Sequence, residues 1–209
     1  MPRRLRWAST RPLPQPGWPD NVVRIVLGSE LAPERAADPA LARLLAEGRG
    51  SLAFLIGNTA CRYRLLGAAI NWDRVLLAFD GEQALGFAAF KHGRRGPFAL
   101  RWRPFIREFG VLSGGVRFIG FCLSELREWR YPFLLYGLRV SKAARQHGVG
   151  SALVQACCAH AAAQGFAQVE LEVPLSNQRA QQLYLHNGFA LRRKRWVPFP
   201  PVRNMWRAV

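Results

Sequence analysis

The stretch Arg145-Gln146-His147-Gly148-Val149-Gly150-Ser151-Ala152 decides how this chain is read. It lies between an apolar run at 133–140, whose pattern predicts a strand, and a segment at 149–164, whose pattern predicts a helix. Two glycines one residue apart let a turn present its N–H groups without Cβ interference. The helix that follows adds its unpaired first-turn N–H groups and the positive end of its dipole. Strand, glycine turn and helix start together predict a pocket for a diphosphate. Arg145 adds a cation at its rim, able to grip phosphate through two N–H groups.

Other glycine motifs fit less well. A dinucleotide fold places G-x-G-x-x-G directly after the strand. Here seven residues separate Val140 from Gly148, and the third glycine position is Leu153. A nucleotide-triphosphate loop needs a Gly-Lys pair, and the chain has none. An ordinary strand-to-helix loop is the remaining alternative at this point.

The following residues favour a specific site. Residues 168–173 alternate as a strand, with Val169, Leu171 and Val173 on one side. Then comes Asn177-Gln-Arg-Ala180-Gln-Gln-Leu183-Tyr184-Leu-His-Asn187-Gly188-Phe189. Ser176 or Asn177 can cap a helix start, and Asn187-Gly188 can end it. At helical spacing Asn177, Ala180 and Tyr184 share one face, small in the middle and polar at both ends.

At this point the chain resembles the GNAT superfamily of acyl-CoA-dependent N-acyltransferases. The family motif R/Q-x-x-G-x-G/A is matched by Arg145, Gly148 and Gly150. Its motif N-x-x-A-x-x-L-Y-x-x-x-G-F is matched by Asn177, Ala180, Leu183, Tyr184, Gly188 and Phe189. Either alone is weak; the ordered pair is specific. The resemblance covers about residues 72–208 well and the N-terminal part in outline. It implies an α/β (α+β) GNAT fold, with a mixed, mostly antiparallel central sheet and helices on both faces. It implies acetyl-CoA as co-substrate, held by Leu138, Val140, Arg145, Gln146, His147, Gly148, Val149, Gly150, Ser151, Asn177, Ala180 and Tyr184. No metal is expected.

The resemblance also implies a chemistry. Backbone N–H groups of a bulged fourth strand hold the thioester carbonyl, and Gly137 is a plausible bulge position. The motif tyrosine, here Tyr184, often protonates the leaving sulfur. Some members place a glutamate base early on the fourth strand, where this chain has Leu134. Others, resembling ribosomal-protein N-terminal alanine acetyltransferases, place it twelve residues before the tyrosine, here Glu172, with Glu170 on the same strand face. A packing aromatic and a solvent-facing acid pair are the structural alternatives for Tyr184 and Glu172.

Composition agrees with a globular enzyme. The 209 residues suit one domain, and half are apolar. We expect a loose Pro/Arg-rich arm at 1–20, with five prolines, and a single acetyltransferase domain at 21–209. Cys61, Cys122, Cys157 and Cys158 form no C-x-x-C pair, so reduced thiols in a cytoplasm are expected. No signal peptide or membrane-spanning run is read. The net charge of +17 invites a nucleic-acid partner, but arginine outnumbers lysine 27 to 3 and the arginines are scattered. The densest cluster, Arg192, Arg193, Lys194 and Arg195, is split between two faces if it is a strand. A solvated basic surface is therefore the preferred reading.

Coarse patterning adds strands at 22–27, 75–79, 84–91, 189–196 and 203–208, and helices at 38–47 and 51–66. Asp80-Gly81 signals a hairpin, and a corner falls at 198–201. The segment 97–131 is an insert between the third and fourth strands. Trp102, Phe105, Ile106 and Phe109 form one helical stripe, and Ile119, Cys122, Leu123 and Leu126 another, with a break expected at Gly114-Gly115. Trp102, Phe105 and Phe109 are candidates for shaping the acceptor pocket, with plain packing as the alternative.

The expected function is transfer of an acetyl group from acetyl-CoA to a primary amine by direct attack on the thioester. At pH 7 an ordinary lysine amine is neutral about once in 2,500 molecules, an α-amine about once in seven. A single carboxylate relay therefore suits a small-molecule or peptide amine of low pKa. The alternatives are a translation-linked enzyme acting on a ribosomal protein or aminoacyl-tRNA, or a non-catalytic acyl-CoA-binding module. A homodimer is left open.

Overall fold

The computed structural model describes residues 23–48, 53–99, 101–195 and 201–209. The expected arm at 1–20 and most of the corner at 198–201 lie outside them. Seven strands form one sheet: β1 (Arg24–Leu27), β2 (Val75–Asp80), β3 (Gln83–His92), β4 (Phe133–Val140), β5 (Gln168–Pro174), β6 (Ala190–Arg195) and β7 (Val202–Ala208). Their spatial order is β1-β2-β3-β4-β5-β7-β6. Only the β4–β5 pair is parallel. The expected mixed, mostly antiparallel sheet is what forms.

Eight α-helices accompany the sheet among the described residues: α1 (Pro33–Ala36), α2 (Pro39–Glu47), α3 (Ala53–Ile56), α4 (Thr59–Leu66), α5 (Trp102–Phe109), α6 (Val111–Glu128), α7 (Val149–Ala163) and α8 (Gln178–His186). Local chemistry sets their starts. Asp38 accepts from the Ala40 N–H ahead of Pro39 at the first helical position, and Asn58 accepts from the Cys61 N–H. Asn177 accepts from the Ala180 N–H and so opens α8.

Each face of the sheet carries its own core. Leu153, Val154, Cys157 and Ala161 of α7 meet Phe90, Phe133, Leu135, Val169 and Leu171 on one face. Leu41 and Leu45 of α2, Leu65 of α4, Phe105 of α5 and Phe121 of α6 meet Leu77, Phe79 and Phe87 on the other. The alternation of strand side chains divides the two sets.

Three expectations are corrected. The helix read at 51–66 is two helices, parted at Gly57, whose φ of +75° suits glycine and ends the first one. The insert does form two helices, but the break is at Gly110 (φ +78°), not Gly114-Gly115. Gly114 instead lies inside α6 against α5, where a Cβ would come within 2.9 Å of Ile106 Cα. The stripe of α6 that faces the core is also not the expected one. Gly114, Phe121 and Glu125 are buried, whereas Ile119, Leu123 and Leu126 are exposed. Both stripes are apolar, so hydrophobic period alone does not choose between them.

Candidate functional site

The site begins where β4 leaves β5. The two strands pair only through Leu134 with Glu170 and Leu135 with Leu171. On its other side β4 remains paired with β3, and there Ala89 faces Gly137 while Phe90 faces Leu135. Tyr136 is thus the extra residue of a bulge. The bulge falls one position from Gly137, and from there to Val140 β4 has no pairing to β5. A strand free on one side offers backbone donors and acceptors to a ligand.

The turn after β4 supplies the second part. Gln146 and Gly148 both have positive φ, +69° and +78°. Gly148 is the N-cap of α7 and no side chain caps that helix. The first intrahelical bond runs from the Ala152 N–H to the Gly148 carbonyl. The N–H groups of Val149, Gly150 and Ser151 therefore point out of the helix start, toward an anion. Arg145 is exposed at this rim, its Nε donating to the Val140 carbonyl at 3.3 Å. Gly150 lies against Leu183 of α8, with ordinary contact for an added Cβ at 3.4 Å. Asn187 ties the two helices together, its Nδ2 donating to Ser151 Oγ at 3.1 Å and to the Leu183 carbonyl at 2.8 Å. In the sequence Asn187 reads only as a helix stop.

Tyr184 stands on the α7 side. Its ring is buried against Phe189, 5.7 Å between centroids, in the core shared with Cys157. Burial pushes its phenol well above the ordinary value of 10, and the nearby Cys157 adds to this. Leu138, Val140 and Ala180 pack against the same core.

Glu172 lies on the opposite face of β5. Its Oε1 accepts from the Tyr131 hydroxyl at 2.6 Å and from Arg130 Nη2 at 2.8 Å. Asn204 Nδ2 donates to the same Tyr131 hydroxyl at 3.2 Å. Burial and the Glu172 hydrogen bond hold the Tyr131 phenol well above its ordinary value, so Tyr131 is the donor. Glu170 is likewise engaged, by Gln168 at 3.0 Å and Arg192 at 3.1 Å. The alternative of a solvent-facing acid pair does not describe them: both carboxylates are held by side-chain partners, and the sheet separates them from Tyr184.

Beside the bulge a small apolar cavity is lined by Leu45, Gly48, Phe87, Ala89, Phe98, Tyr136 and Gly137. Trp102, Phe105 and Phe109 are not among its walls. Phe105 packs on Phe118 and Phe121, Phe109 is partly buried in the same core, and Trp102 is exposed. The insert reaches the bulge by another route. The Tyr136 hydroxyl donates to Glu125 Oε1 at 2.6 Å. Lys91 Nζ, 4.2 Å from the Tyr136 ring centroid, bonds Glu125 at 2.5 Å and Glu128 at 2.6 Å. None of Lys91, Glu125 and Tyr136 was singled out by motif. The one available signal is a lysine inside the apolar run Phe87-Ala88-Ala89-Phe90-Lys91.

The family model for the acetyltransferase (GNAT) family matches residues 55–189, so the chain belongs to that family. A search of curated proteins finds no significant match. Among solved structures, SsHAT is similar at 14% identity and a TM-score of 0.58, over 89% of this chain and 98% of that one. A variant of agmatine N-acetyltransferase in its apo form is similar at 14% identity and a TM-score of 0.55, over 90% and 99%. Ard1 from Thermoplasma volcanium is similar at 18% identity and a TM-score of 0.50, over 82% and 93%. At such identities the likeness is one of fold. The family membership makes the protein an acyl-CoA-dependent acetyltransferase with acetyl-CoA as co-substrate. The uncapped start of α7, the positive φ at Gly148 and the unpaired edge of β4 fit such a ligand. Among the described residues no group of His, Cys, Asp and Glu could hold a metal ion, and no helix is long and apolar enough to cross a membrane.

Proposed function

We propose that the protein acetylates a primary amine that carries an apolar part. The observation that carries this is the bulge at Tyr136 and Gly137, which sits at the end of the β4–β5 pairing beside the apolar side chains Leu45, Phe87 and Ala89 of the α2 face. Acetyl-CoA supplies the thioester. The residues Gly148, Val149, Gly150 and Ser151 bind the diphosphate, with Arg145 at the rim and Leu138 and Val140 along the strand. Gln146 and His147 shape the turn, and Asn177 and Ala180 line the other wall. Backbone N–H groups at the bulge stabilise the negative charge that develops on the carbonyl. The acceptor reaches the carbonyl from the α2 face.

Tyr184 gives a proton to the departing thiolate. Ordinary values make that transfer uphill by about 2 kcal/mol. Burial makes the phenol a weaker acid, and a thiolate leaving into the same apolar surroundings is made a stronger base for the same reason. The two shifts offset one another. Glu172 takes the amine proton through water. A single carboxylate relay suits an amine of low pKa rather than an ordinary lysine.

The test is free-thiol release from acetyl-CoA against a panel of amines. Arylalkyl and alkyl amines, peptide α-amines and amino sugars should be compared with lysine peptides. Turnover is expected with an amine bearing an apolar group. Binding of acetyl-CoA with no thiol release on any amine would favour a non-catalytic module. Release only with ribosomal protein or aminoacyl-tRNA would favour the translation-linked alternative.

A further inference from the structure

Helix α6 presents a second apolar stripe that packs on nothing described in the chain. Leu112 is 87% exposed, Val116 72%, Ile119 60%, Leu123 60% and Leu126 41%. Their spacing is four, three, four, three, the seam that pairs one helix with another. This stripe is distinct from the one that buries Phe121 and Glu125, and it lies away from the bulge, the α7 turn and the apolar cavity.

We propose that α6 pairs with α6 of a second copy of this chain, antiparallel, about a two-fold axis at Ile119. Such an axis brings the seam close to itself: Leu112 meets Leu126, and Val116, three residues before Ile119, comes beside Leu123, four residues after it. A two-fold interface needs this self-complementarity, the same patch serving both partners. One flank, Gly115 and Cys122, permits a close approach, since nothing lies within 4 Å of where a Cβ on Gly115 would stand; the other holds Ser113, Gly120 and Arg127, and there Gly120 lies against Leu55. The seam is also free of charge. Arg117 turns away from it, donating to the Leu55 carbonyl at 2.8 Å and lying 4.4 Å from the Phe109 ring centroid.

Area agrees. Side chains of these sizes, exposed to these extents, offer roughly 600 Å² of apolar surface, at the upper end of what a monomer ordinarily leaves open. A standard interface takes about 800 Å² from each partner, little more than half of it non-polar. An anionic bilayer would instead select an apolar stripe with cations along both margins, and in the sequence Arg127 is the single cation among the flanking positions Ser113, Gly115, Gly120, Cys122 and Arg127.

Sedimentation equilibrium on the full chain across the micromolar range decides the matter. Wild type is expected to show twice the chain mass. The double variant Ile119→Glu, Leu123→Glu is expected to show a twofold lower mass, with far-UV circular dichroism and acetyl-CoA affinity unchanged. Both positions are exposed, so the variant has no core to lose. A monomeric wild type would overturn the proposal, as would a variant that remains dimeric. So would a monomeric wild type that floats with phosphatidylserine vesicles while the variant does not.

Discussion

The hydroxyl of Tyr136 donates to Oε1 of Glu125 at 2.6 Å, joining the bulged residue of β4 to a helix that the insert adds. Lys91 completes the join from β3, held between Glu125 and Glu128. The insert therefore touches the proposed thioester site through a buried charge cluster and not through Trp102, Phe105 and Phe109. Tyr136→Phe removes the hydroxyl and leaves the ring. We expect kcat to fall about tenfold, the size of one lost buried hydrogen bond of about 1–3 kcal/mol. The dissociation constant for acetyl-CoA should stay within a factor of about two. Steady-state kinetics beside calorimetry checks this, and a loss confined to cofactor affinity would show that Tyr136 acts elsewhere.

Two adjacent glycines of α6 should behave oppositely. A Cβ at Gly114 would stand 2.9 Å from Ile106 Cα and press on the Phe105 carbonyl, all rigid backbone. Gly115 has open space at the same point. Gly114→Ala should destabilise by about 1–3 kcal/mol through overpacking. Gly115→Ala should be neutral or stabilise by up to about 1 kcal/mol through helix propensity. Urea denaturation of both variants separates the two, and equal effects would contradict the close crossing of α5 and α6.

Acid should weaken the fold through His92. Burial, reinforced by the Arg74 guanidinium at its Nε2, lowers it to about 4 from an ordinary 6.5. As pH falls through 6.5 the unfolded chain takes up a proton that the folded chain refuses until about 4. Native stability is therefore full above about 6.5 and is lost progressively down to about 4. His160, also lowered by burial, adds to the same slope. Melting temperatures measured across this window should fall with pH in wild type and fall less steeply in His92→Gln. An unchanged slope in the variant would remove His92 as the cause.

These elements differ in how far the sequence reveals them. The turn at Gly148, the cap at Asn177 and the strands at 133–140 and 168–174 follow from local chemistry, a left-handed glycine or an oxygen facing an N–H. The phase of α6 does not, because Phe118 and Phe121 compete with Ile119 and Leu123 for the inward face. Gly110 and Gly114 look alike in the chain, yet one ends a helix with positive φ and the other admits a neighbouring helix. The partners of Glu172 and Lys91 are hidden for another reason. Tyr131 meets Glu172 across 41 residues and Lys91 meets Glu125 across 34, and pairs that distant are set by topology. The bulge itself was legible to one residue, since Gly137 marks a weak point in a strand.

Tyr184→Phe isolates the proposed proton donor. The ring and its packing on Phe189 are retained, so the fold should hold. We expect the maximal rate to fall by about 10²-fold, within the range of a lost general acid. Because burial holds the phenol above its ordinary value, wild type should show no alkaline loss of rate from Tyr184 below about pH 10. A full rate in the variant would return Tyr184 to a packing role.

The turn from Arg145 to Ser151 and the open edge of β4 are the proposed seat of acetyl-CoA. Calorimetric titration of acetyl-CoA into wild type and Gly148→Val tests this most directly. Gly148 has a φ of +78° and stands at the uncapped start of α7, so a β-branched side chain both strains the turn and obstructs the N–H groups behind it. Saturable one-to-one binding to wild type is expected, with a loss of at least about tenfold in affinity for the folded variant, about 1.4 kcal/mol or more. Equal affinity in the two proteins would contradict that placement.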